Sequence, residues 1–215
     1  MISRLFKAIY HILRYHNFIK VDLKINENIN FGSDEANNFF ESKLSSCKVY
    51  LEYGSGSSTL LADKKNKNYF SVESDKSFYK KFKQLLRRKY ILKELGYVYF
   101  SSIPILFTLR KLFLIKKAKK YVNDILIYFN ENKIIPDLIL IDGRYRVLCA
   151  LYLYNFFKEK EVSFTIIIDD YTLRPDYFIL ENFFEIKKIG RFGVLEKLKD
   201  QNPNKLIETY SIEYI

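Results

Sequence analysis

A chain of 215 residues, 48% hydrophobic and rich in Tyr and Phe, carries enough apolar side chain for one buried core and too much for a disordered segment. Cys47 and Cys149 sit in apolar surroundings without a C-x-x-C partner, which points to free thiols in a reducing, cytoplasmic setting and away from a disulfide framework. His11 and His16 are the only histidines; five residues apart, they do not share a helical face as a metal pair would.

At the N-terminus, Ile2, Leu5, Phe6, Ile9, Ile12 and Leu13 recur at helical spacing with Arg4, Lys7 and Arg14 between them. Such a helix either packs on the domain or lies on a membrane surface. The segment has no small-residue cleavage site of a signal peptide, and no stretch reaches the ~20 apolar residues of a membrane span.

Beyond it, short apolar runs alternate with longer helical patterns. Strands are predicted at 49–53, 69–73, 97–101, 138–142 and 164–169, with helices at 59–64, 75–95, 105–130 and 145–158. The strands show little polar alternation, as expected when both faces of a parallel sheet are covered. The last two, 183–189 and 192–195, flank Gly190 and read as an antiparallel hairpin closing the sheet edge. The expected fold is α/β: a Rossmann-like, doubly wound and mostly parallel sheet of about seven strands with a C-terminal antiparallel hairpin. The expected division is an N-terminal helical extension, 1–45, and a Rossmann-like domain, 46–215.

The first strand runs into a loop of small residues, Gly54-Ser55-Gly56-Ser57-Ser58. Glycine there lets a ligand approach the backbone, and the helix that follows offers unpaired N–H groups. The third glycine of a dinucleotide-binding G-x-G-x-x-G pattern would fall at Thr59, which disfavours a nicotinamide cofactor. The second strand ends in Glu73, 17 positions after Gly56, placed either to accept a ribose diol or to cap the helix expected from Asp75.

"LEYGSGSST" and "SVESD" resemble the first two motifs of class I S-adenosylmethionine-dependent methyltransferases. "PDLILIDGRYRVLCAL" and "IIIDDYTLRPDYF" resemble a bacterial subgroup with IDGRFR-type and HDY-type signatures. The resemblance implies that Gly54, Ser55 and Gly56 line the methionine part of S-adenosylmethionine, that Glu52 lies near its amino group, and that Glu73 holds its ribose. Ser57, Ser58, Ser74, Ser102 and Asp142 complete the implied cofactor set. Three positions depart from the pattern: Ser57 replaces a glycine, the third strand ends in Ser101-Ser102 without a carboxylate, and Asp169 stands where the subgroup has His.

Asp142, Asp169 and Asp170 fall at the ends of the fourth and fifth strands, where an open parallel sheet binds its ligands. Like charges brought together repel unless a cation sits among them, and an oxygen-only donor set suits Mg²⁺. A similar arrangement occurs in metal-dependent catechol-type O-methyltransferases. Helix capping and metal-free general base catalysis are the alternatives. Asp142, Asp170 and Arg144 are the catalytic candidates. Of Arg144 and Arg146, one is expected to pair with the carboxylates and the other to bind an acidic acceptor.

Residues 76–120 hold 14 Lys or Arg and one acid, Glu94. A solvated helix face accounts for this first, then an anionic membrane or glycan, with nucleic acid the least supported. The expected function is O-methylation of a small molecule or of a sugar, the surface-polysaccharide type implied by resemblance alone. The alternative is a non-catalytic module of the same fold that binds RNA or an anionic membrane through 76–120.

Overall fold

The computed structural model describes residues 26–75, 79, 92–94 and 107–211. Helix α1 (Asp34–Ser46) starts where the Ser33 side chain accepts the Ala36 N–H, with Asp34 and Glu35 in its first turn, as the helix dipole favours. Then come β1 (Val49–Tyr53), α2 (Ser57–Lys64), β2 (Asn68–Glu73), β3 (Leu92–Glu94), α3 (Phe107–Asn132) and β4 (Leu138–Ile141). The chain continues through α4 (Arg146–Lys158), β5 (Thr165–Ile168), 3-10 turns at Tyr171–Leu173 and Pro175–Asn182, β6 (Phe184–Ile189), β7 (Phe192–Leu198) and α5 (Asn204–Tyr210).

The strands lie in the order β3-β2-β1-β4-β5-β7-β6. Neighbours from β3 through β5 are parallel, while β7 runs antiparallel to both β5 and β6. The mixed α/β architecture and the antiparallel C-terminal pair are as the sequence predicts. The predicted strand at 97–101, the N-terminal helix at 1–13 and Ser102 lie outside the described residues. One prediction is corrected: the helix expected over 75–95 does not reach its end, because Leu92–Glu94 pair with Ser71–Glu73 as β3. The backbone ladder offered by β2 outweighs the helix preference of Leu, Lys and Glu, which is worth only tenths of a kcal/mol per residue.

Alternation along the strands divides the side chains between two cores. Leu51, Tyr53, Ile139, Ile141, Ile166 and Ile168 pack with α3 and α4. Tyr50, Leu138, Leu140 and Ile167 face the other way, with Ala36, Phe40 and Leu44 of α1 and Ala62 of α2. The period of two therefore sorts one helical layer from the other, and all four residues of β4 are buried. Helix α1, at the end of the 1–45 stretch, thus belongs to the packing of the sheet. Within the basic stretch, Lys119 and Lys120 of α3 are exposed. Among the described residues no helix is long and apolar enough to cross a membrane.

Besides the ladder between β7 and β5, one close contact packs the hairpin against the turn after β5. Tyr171, fully buried, lies with its ring on Gly193 of β7, where an added Cβ would come within 2.4 Å of Tyr171 Cγ. Gly193→Ala is therefore expected to cost about 1–3 kcal/mol through overpacking, read as a lower denaturation midpoint with unchanged slope. An unaltered midpoint would contradict this packing.

Candidate functional site

Reversal of strand order falls between β1 and β4, with β2 and β3 leading off one side and β5 the other. Open α/β sheets bind ligands at this place, outside the carboxyl ends of the strands. The turn after β1 meets the turn after β4 there. Gly54 has φ +102, and a Cβ on it would lie 2.6 Å from both Cα and N of Gly143. A Cβ on Gly143 would in turn meet the Tyr121 hydroxyl at 2.4 Å and Tyr53 O at 2.7 Å. Both glycines are thus demanded by backbone packing at the floor of the crevice. Gly56 differs: the nearest atom to its Cβ position is Ser58 Oγ at 4.0 Å, so this side of the loop is open.

Glu52 lies beneath the loop with no exposed surface. Its Oε2 accepts the Tyr50 hydroxyl and Ser58 Oγ, both at 2.8 Å. Its Oε1 accepts Ser71 Oγ at 2.6 Å and also Thr59 Oγ1. Thr59 Oγ1 further receives the Gly56 N–H at 2.9 Å, the inward arm of a capping arrangement at the start of α2. Burial raises the proton affinity of Glu52 against the pull of these hydroxyls. Glu52 and Ser58 therefore face into the fold and shape the loop from within.

Glu73 joins β2 to the same loop. Its Oε2 accepts the Ser55 N–H at 3.0 Å, and its Oε1 accepts the Asp75 N–H at 2.6 Å, with Ser74 Oγ at 3.4 Å. Glu73 thus ties the Asp75 amide to the glycine loop, while the helix expected from Asp75 lies largely outside the described residues. Ser55 Oγ pairs with Ser71 Oγ at 2.8 Å. Ser57 stays half-buried in the first turn of α2. Burial again dominates and raises the proton affinity of Glu73.

Across the crevice, Asp142, Asp169 and Asp170 converge: one oxygen from each lies within 4.8 Å of the others. Arg146 reaches over from the start of α4, 2.9 Å from Asp142 Oδ1 and 3.1 Å from Asp170 Oδ2, and its Nε donates to Gly143 O at 3.1 Å. Arg146 thus pairs with the carboxylates, and Arg144 sits half-buried at the same turn. Burial first and the negative Asp169 next push Asp142 up to about 7, against the attraction of Arg146. Its side chain is 37% exposed, whereas Asp169 is almost wholly enclosed at 2%.

Two features escape a reading of the sequence. Arg191, in the two-residue turn between β6 and β7, holds both oxygens of Asp169 at 2.6 Å. The only available signal was its place two residues before Gly193, which pairs with Ile168 at the end of β5. The second is backbone strain. Tyr145 and Asp170, each just past a strand end in this crevice, have φ +55 and +58. Asp tolerates the left-handed region, but for a bulky Tyr it costs on the order of 1–3 kcal/mol. Tyr145 is braced by the Tyr121 ring at 6.1 Å, itself 5.7 Å from Tyr53.

In an unfolded chain carboxyl groups titrate near ~4. Folding raises the proton affinity of Glu52, Glu73 and Asp142, so the folded state holds more protons above that pH. Stability is then expected to fall as pH rises from about 4, and Asp142 contributes to this decline up to its value of about 7. Asp142→Asn should flatten the decline between pH 5 and pH 7, measured by urea unfolding across that range. An identical slope in wild type and variant would contradict the assignment.

No protein-family model matches the sequence, and no curated protein matches it. Among solved structures, a methyltransferase-like protein from Silicibacter pomeroyi DSS-3 is 22% identical with a TM-score of 0.66, over 87% of this chain and all of that one. The chain has the fold of a methyltransferase-like protein.

Proposed function

We propose that the chain is an S-adenosylmethionine-dependent methyltransferase acting on a hydroxyl of a small molecule or sugar. One observation carries this reading: the loop after β1 is pinned internally by Glu52, Glu73 and Gly143, yet stands open at Gly56. A loop so fixed and so open suits close approach of a polar ligand to its backbone. Bound there, the cofactor supplies a methyl group activated by a sulfonium centre.

The residues present fit such a ligand. Gly56 and Ser57 present backbone without a bulky side chain, and Glu73 ends β2 where a ribose diol would be held. Ser55 and Ser74 bear on that carboxylate, whereas Glu52 and Ser58 serve the loop from within. Asp142 lies on the far side of the crevice and is partly exposed. With a proton affinity near neutrality, it is suited to take the proton from an acceptor hydroxyl as that oxygen gains the methyl group. Arg146 steadies the Asp142 carboxylate. Asp170 is partly exposed beside it and offers a second acceptor for the substrate's hydroxyls. Arg144 at the same turn is assigned to an acidic group on the acceptor, where a guanidinium makes paired contacts.

Calorimetry with S-adenosylhomocysteine tests this. Wild type is expected to bind, and Gly56→Val to lose affinity by at least about tenfold, ~1.4 kcal/mol, with little change in thermal stability. Gly54→Ala should instead destabilise the fold, because its φ and the Gly143 contact both forbid a side chain. Absence of binding to wild type at millimolar cofactor or product would overturn the proposal. For chemistry, Asp142→Asn should lower turnover by about 10²–10⁴-fold with product binding retained; unchanged turnover would remove Asp142 from the base role.

A further inference from the structure

Three carboxylates with an oxygen each within 4.8 Å of the others are, by donor type, a site for a hard divalent cation. Two guanidinium groups already stand among them. Arg191 takes both oxygens of Asp169 at 2.6 Å in a forked contact, and its Nε lies 3.6 Å from Asp170 Oδ1. Arg146 bridges Asp142 and Asp170 from the other side. Three carboxylates therefore face two guanidinium groups. An arginine cannot shed its proton to make way for a metal. Each carboxylate oxygen has a second lone pair, so crowding alone would not exclude an ion. Charge does: an ion about 2.1 Å from these oxygens would be placed beside both guanidinium groups.

Arg191 is also held in its place from outside the cluster. Its Cδ lies 3.5 Å from the Cβ position of Gly32, its Nη2 donates to Asn30 O at 3.5 Å, and its guanidinium stands 6.0 Å from the Phe31 ring centroid. Swinging it away would break these contacts and leave Asp169, buried as it is, without its partner.

We infer that Arg146 and Arg191 stand in the place of a divalent cation, that the cluster binds no metal, and that Arg191 is a positioning residue fixing Asp169 and Asp170 at the crevice. This rests on the proposed function only for the use made of the crevice; the charge balance is independent of it.

Titration of the full chain with Mn²⁺, followed by the electron paramagnetic signal of the free ion, tests the inference. Wild type is expected to bind none up to about 1 mM, the weak end of the range over which built carboxylate sites fill. Arg191→Met removes the charge and frees Asp169, and should gain Mn²⁺ binding by at least about tenfold, lost again when Asp169→Asn is added. Arg191→Lys keeps a cation and should stay metal-free. Binding to wild type below about 1 mM, or no gain in a folded Arg191→Met, would overturn the inference. Where circular dichroism shows Arg191→Met unfolded, the wild-type titration decides alone: binding refutes and its absence supports. S-adenosylhomocysteine binding on the same preparation separates the two proposals. A wild type that binds Mn²⁺ and product overturns only this inference; one that binds neither overturns only the methyltransferase proposal.

Discussion

A carboxylate buried with no exposed surface has to find its compensation inside the protein, and Glu52 finds it in hydroxyl groups from β1, α2 and β2. Tyr50, Ser58, Thr59 and Ser71 all donate to it. Because these donors belong to three different elements, their shared acceptor fixes how the first strand, the second strand and the intervening helix meet. The small residues between β1 and α2 are consequently selected twice. Their hydroxyls serve the buried carboxylate, while their small size leaves the outer side of the loop open.

From that junction the crevice follows by topology. The β1–β4 neighbourhood is where the winding of the sheet reverses, and Gly54 and Gly143 let the two turns touch backbone to backbone. This closes the floor of the crevice but leaves its walls to different chemistry. On one side stand Glu73 and the open loop; on the other, Asp142, Asp169 and Asp170 with their two arginines. The strained backbone at Tyr145 and Asp170 lies on the second side, where the turns after β4 and β5 are bent to present their side chains.

Much of this arrangement could be read without coordinates. The apolar runs of β1, β2, β4 and β5, and the hairpin around Gly190, are legible because a strand covered on both faces needs continuous apolar sequence. The three aspartates were expected together because strand ends in a parallel sheet share one side. What escaped depends on knowledge of neighbours. That Arg191 meets Asp169 requires β7 to lie beside β5, and that Gly54 needs Gly143 requires β1 to lie beside β4. The inward direction of Glu52 was in principle visible, since it alternates with Leu51 and Tyr53 in a strand with no solvent face. The short strand Leu92–Glu94 was not visible, because Leu, Lys and Glu favour a helix and only the ladder to β2 overrides them.

Charge balance unites the two walls. The carboxylates beneath and beside the loop are compensated by hydroxyls and amides, and those across the crevice by guanidinium groups; among the latter, Asp142 is partly exposed and pushed up to about 7 by burial and by Asp169. The central claim, that one cofactor lies between these walls, is tested most directly by a crystal structure of the chain grown with S-adenosylhomocysteine. The account predicts the ligand against Gly56, with its ribose toward Glu73 and its sulfur toward Asp142. Ligand located elsewhere on the sheet, or a crevice without ligand at saturating concentration, would contradict it.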